Sequence, residues 1–90
     1  MAELLVTVAE AKEYLRVDGD GEDKLISSLI LMAQKYVSDV LKWDVSEDKL
    51  EPPIKQAILI VTEHFYEERS GADVPKVVMT LLRPYRNVGW

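Results

Sequence analysis

The residues 18–23, Asp-Gly-Asp-Gly-Glu-Asp, hold the densest set of metal-capable oxygens in the chain. A calcium loop needs oxygens at its positions 1, 3 and 5, a glycine at 6 and a bidentate glutamate at 12. Counted from Asp18, the residues Asp18, Asp20 and Glu22 fit the early positions, but Asp23 stands at 6 and Leu29 at 12. The turn-former and the closing ligand are both missing. The stretch reads instead as a tight loop in which Asp20 caps the helix that follows. His64 is the one histidine, and acid–base or nucleophilic work would need a partner held beside it in a pocket. Its near neighbours Thr62, Glu63, Glu67 and Glu68 lie along one continuous helix, so a packing or surface role is expected. Ser27-Ser28 falls inside a helix, away from the sharp turn that a nucleophilic serine requires. No phosphate loop or dinucleotide fingerprint occurs, and the absence of cysteine removes disulfides, thiolate zinc sites and thiol catalysis together. No enzyme, cofactor or metal site is expected.

Arginine and aromatic residues alternate in the segment 83–90, Arg-Pro-Tyr-Arg-Asn-Val-Gly-Trp, and Trp43 ends a long helical stretch. Such residues stack on single-stranded bases, and they also anchor protein–protein contacts. Charge favours the second use. The chain carries a net −5, with a pI near 4.8, whereas nucleic-acid affinity rests on cations facing phosphates. The charge is polarised: residues 1–23 sum to −5, while residues 74–90 hold three bases and no acid. Ends of opposite sign suit head-to-tail contact with a copy of the same chain, solvated surface charge being the plainer reading. Trp43, Arg83, Tyr85 and Arg86 are therefore partner-contact candidates, with core capping by Tyr85 as the alternative.

Four helices must position these groups. Thr7-Val8-Ala9-Glu10 is a capping box, and Val8, Ala11, Tyr14 and Leu15 follow at helical steps to about residue 16. The main helix spans about 22–42, with Ile26, Leu29, Ala33, Tyr36, Val37, Val40 and Leu41 on one face. Pro52-Pro53 stops any earlier helix and suits the first turn of the next, about 53–68, which Gly71 ends. Ile54, Ala57, Ile58, Val61 and Phe65 form its stripe, with His64 at the edge. A short helix at about 76–83 follows Pro75 and stops at Pro84. No strand alternation appears, so the expected fold is all-α: a compact bundle of about four helices around one long one, in a single domain over residues 1–90. The longest apolar runs, 29–33 and 57–61, fall far short of the ~20 residues of a bilayer span. The Met-Ala-Glu start lacks signal-peptide features, so a cytoplasmic protein without a membrane partner is expected.

Two of these helices are apolar on more than one side. Ile30, Leu31 and Met32 widen the stripe of the second helix, and Leu59 and Ile60 lie off the stripe of the third. A chain this small has little with which to cover them, and uncovered apolar surface marks interfaces. Self-association is expected, with Ile30, Leu31, Leu59 and Ile60 in contact with neighbours.

The order of four segments resembles a known family. These are Val6-Thr7-Val8-Ala9-Glu10-Ala11-Lys12-Glu13-Tyr14-Leu15-Arg16-Val17-Asp18; the stretch from Asp23-Lys24-Leu25-Ile26 to Ala33-Gln34-Lys35-Tyr36-Val37; Pro53-Ile54-Lys55-Gln56-Ala57-Ile58-Leu59 with His64-Phe65-Tyr66-Glu67-Glu68-Arg69; and Val74-Pro75 with Leu81-Leu82-Arg83-Pro84-Tyr85-Arg86. They are similar to the small head–tail connector proteins of tailed bacteriophages and prophages, often labelled DNA-packaging proteins. The resemblance implies an all-helical structural subunit in the virion neck, made in the host cytoplasm. It implies a homo-oligomeric ring beneath the portal protein that meets tail-completion proteins and passes DNA through its lumen, without catalysis. Glu68 stands where the family usually has asparagine. Net negative charge suits a channel in which DNA must slide, since basic contacts would retain it. The acidic loop around Asp20, or the face with Glu10 and Glu13, is the candidate channel lining. The competing reading is a small helical DNA-binding regulator with a helix-turn-helix, for which the third helix has only Lys55 and Arg69 against Glu63, Glu67 and Glu68.

Overall fold

The first helix is set by its cap. In the computed structural model, which describes residues 4–67 and 74–86, the Glu10 N–H donates to Thr7 Oγ1 at 3.0 Å, and the Thr7 N–H donates to Glu10 Oε1 at 3.0 Å. Both arms of the expected capping box are thus made, and α1 runs over Val8–Leu15. Its end is a left-handed residue, Arg16 at φ 62°. The Val17 N–H returns to the Lys12 carbonyl and the Arg16 N–H to that of Glu13, the pattern in which glycine is usual. Gly19, at φ 83°, then supplies the second left-handed turn that brings the chain to the second helix.

α2 covers Asp23–Leu41, about 28 Å of helix. Its start differs from the expected one. Glu22, not Asp20, precedes the first helical residue and makes no side-chain cap. Its carboxylate instead accepts a 2.6 Å bond from the Tyr66 hydroxyl, while Asp23 pairs with Lys12 at 2.9 Å. Glu22 is thus tied to a tyrosine of the third helix and Asp23 to α1. After Lys42, also left-handed, the chain folds back as the Val45 N–H donates to Ser38 Oγ at 3.1 Å. A 3₁₀ turn at Glu47–Lys49 leads into α3, Pro52–Glu67, with proline in the first turn as expected. The expected stops and substitution at Glu68 and Gly71 lie outside the described residues. α4, Lys76–Leu82, ends in a 3₁₀ turn, Arg83–Tyr85, that contains Pro84.

These four helices make an all-α fold, with no strand among the described residues. α2 and α3 form the most extensive pair, α1 lies on both, and α4 packs on α3 and α2. The contact between Glu22 at the start of α2 and Tyr66 near the end of α3 makes that pair antiparallel. Val6, Ala11, Ile26, Ile30, Ala33, Val37, Leu41, Ile54, Ala57, Ile58, Val61, Val78 and Leu82 form one core. Two buried polar groups are satisfied within it. Gln34 Oε1 accepts the Leu5 N–H at 2.6 Å, and the Thr62 hydroxyl donates to the Ile58 carbonyl at 2.7 Å.

Ile30 corrects an expectation: it is fully buried and so is no partner contact. At about 100° per residue it lies within the arc defined by Ile26, Ala33, Val37 and Leu41, whereas Leu31 points away from it. Truncating Ile30→Ala is expected to lower unfolding free energy by about 2–5 kcal/mol. Leu31→Ala should cost less than about 1 kcal/mol. Urea denaturation of the two variants measures the contrast, and equal losses would contradict the placement of the core.

Candidate functional site

The candidate sites are surfaces. Among the described residues no three carboxylate or imidazole groups converge as a metal would require. His64 is half-buried with its ring 5.9 Å from that of Phe65. No described helix is long and apolar enough to cross a membrane.

The first surface is an apolar strip where α2 meets α3. Met32 is 53% exposed and Leu31 37%. With Tyr36 and Phe65, whose rings meet edge to face at 6.4 Å, they line a shallow depression of about 460 Å³. Its rim carries Lys35 paired with Asp39 at 3.0 Å; the bond to Asp39 raises the Lys35 pKa. Leu31 was legible as surplus apolar surface. Tyr36 and Phe65 were assigned to core stripes, and their half-burial is the signature of residues at a seam rather than under it.

The second surface is a depression of about 380 Å³ between α1 and α3, lined by Glu10, Glu13, Tyr14 and Leu59. The ion pair from Lys55 to Glu10 bridges the two helices, and Gln56 donates weakly to the Tyr14 hydroxyl at 3.5 Å. The Lys55 ammonium, then the Thr7 N–H, hold the Glu10 carboxyl below its ordinary pKa of 4.5. Burial, and then the charge of Glu63, push the Tyr14 hydroxyl up. Lys55, one of two cations a DNA-recognition helix had to offer, is engaged here, and Arg69 lies outside the described residues.

At the C-terminal end the arginine–aromatic residues turn inward. The Trp43 indole donates to the Tyr85 carbonyl at 2.7 Å, and Arg86 Nε donates to the Val40 carbonyl at 3.1 Å. Val40 is in the last turn of α2, so Arg86 caps a helix end whose carbonyls would otherwise lack partners. Tyr85 packs at the edge of the core. Three of the four expected contact residues thus make bonds or packing contacts within their own chain, Tyr85 among them, and Arg83 is exposed. Trp90 lies outside the described residues. Leu59 and Ile60 are half-buried, Glu13 and Asp20 exposed, and Glu10 half-buried. The structure brings Glu10, Glu13 and Leu59 together but leaves Asp20 on its separate loop.

The family described as phage gp6-like head-tail connector protein matches residues 5–86. The fold is similar to the crystal structure of bacteriophage HK97 gp6, with a TM-score of 0.79 and 17% identity over 89% of this chain and 91% of that one. Among curated protein sequences nothing matches.

Because the Glu10 pKa is lowered on folding, its ion pair stabilises the fold fully above the unfolded value near 4.5 and loses that contribution as pH falls through the lower folded value. Lys55→Gln should move the Glu10 titration back toward 4.5 and flatten the acid limb of stability against pH. Carboxyl-carbon NMR titration reads the shift, and an unchanged Glu10 midpoint would contradict the bridge.

Proposed function

The chain belongs to the phage gp6-like head-tail connector family, and from that premise we propose that it is a ring-forming subunit of the virion neck. In this reading copies close into a ring below the portal protein, join the DNA-filled head to the tail-completion proteins, and let DNA pass through the lumen. Assembly takes place in the host cytoplasm, and the chain has no catalytic part in it.

The observation that carries the proposal beyond the family is the Leu31–Met32 strip. Its seam position leaves apolar area open after the core is complete, and such area stabilises association when a neighbour covers it. Ring closure needs heterologous contacts related by rotation, so one subunit must present two different surfaces. The acidic N-terminal part and the basic 74–86 segment provide a second pair of unlike faces. For the channel, the exposed Asp18–Gly21 loop is the better lining element. Glu10 is tied to Thr7 and Lys55, and its charge is answered within the subunit. A carboxylate rim at Asp20 would repel phosphate and keep DNA moving.

Phage particles produced without this chain should contain filled heads and unattached tails by electron microscopy. Wild-type protein supplied in trans should restore joining. A Leu31→Asp/Met32→Asp variant, folded by circular dichroism, should reduce joined particles by at least about tenfold through loss of the apolar contact. Full restoration by that variant would remove the strip from the account. Joined particles in the absence of the chain would contradict the connector role itself.

A further inference from the structure

Resting on the ring reading, we propose that the depression between α1 and α3 receives the α4 end of a second copy of this chain in a head-to-tail contact. The receiving surface is acidic with an apolar floor. Glu13 is exposed and makes no ion pair among the described residues. Glu63 lies close enough to act on the Tyr14 hydroxyl, and Tyr14 and Leu59 supply the floor. The Lys55 charge is already matched by Glu10, so Glu13 and Glu63 leave the site net negative.

The occupant has the opposite character. Residues 74–86 include Lys76, Arg83 and Arg86 and no carboxylate. Arg86 is held at the end of α2, whereas Lys76 and Arg83 are exposed and make no ion pair among the described residues. Beside them Val77 is 49% exposed and Pro84 is also exposed. An Arg83 guanidinium seated in the depression would meet the Glu13 carboxylate in a charge-assisted bond and the Tyr14 ring by its flat face. Val77 and Pro84 offer apolar surface to the floor. A two-fold contact centred on either patch would set like charges against each other, so the complementary arrangement is heterologous. That arrangement propagates from copy to copy, as a ring requires.

Charge reversal with rescue tests this contact. Glu13→Lys and Arg83→Glu alter exposed residues, and circular dichroism with a urea midpoint checks that each variant folds. Sedimentation velocity is run on the wild type, each single variant and the double variant, alone and mixed with portal protein. Each single variant should weaken assembly at least about tenfold, and the double variant should recover to within about threefold of wild type, because the reversed pair attracts again. Wild-type assembly should also weaken as salt rises. Single variants that assemble like wild type, or a double variant no better than the singles, overturn the contact while leaving the ring reading in place. A wild-type chain that remains one subunit both alone and with portal protein overturns the ring and this contact together.

Discussion

Along the seam between α2 and α3, Ile26, Ile30, Ala33, Val37 and Leu41 exclude water against Ile54, Ala57, Ile58 and Val61, and the remaining structure is built onto that exclusion. α1 has eight residues and α4 seven, lengths at which an isolated helix does not persist in water. Each exists because the seam offers it a groove: Ala11 of α1 and Val78 and Leu82 of α4 are fully buried there. Polar bonds then fix the ends. Lys12–Asp23 and Tyr66–Glu22 close one end of the long helix, while Trp43–Tyr85 and Arg86–Val40 close the other.

The same economy of material shapes the outer surface. A domain of this size has few elements with which to cover its own apolar area. The short helices pack on α2 and α3, and Leu31 and Met32 remain exposed. Charges are likewise distributed by what the fold has already neutralised. Glu10, Asp23 and Asp39 have cationic partners within the subunit, whereas Glu13, Lys76 and Arg83 are exposed and make no ion pair among the described residues.

Much of the fold was legible because it is written in local signals. The Thr7–Glu10 box, the proline pair before α3 and the apolar spacing of α2 each depend on residues a few positions apart. What escaped the sequence depends on residues far apart. Asp20 has the right chemistry for a cap, yet Glu22 and Asp23 are drawn to Tyr66 and Lys12, and the helix begins at Asp23. Trp43, Tyr85 and Arg86 have the composition of an interface but meet across more than forty residues to finish the subunit. Ile30 and Leu31 are adjacent and equally apolar, and only the direction of the packing partner separates core from surface. The order of the four segments carried the family resemblance, which the match over residues 5–86 bears out. Which apolar residues stay exposed was not legible, since exposure is a property of the assembled helices.

The central claim is that the core closes within one subunit and that the strip beside it is covered by neighbours. Hydroxyl-radical footprinting of Met32, read by mass spectrometry in the free protein and in intact virions, tests it most directly. Met32 is half exposed in the subunit, so the account predicts ready oxidation in the free chain and at least about tenfold protection in the virion, as burial at an interface excludes the oxidant. Equal oxidation of Met32 in both states would contradict it.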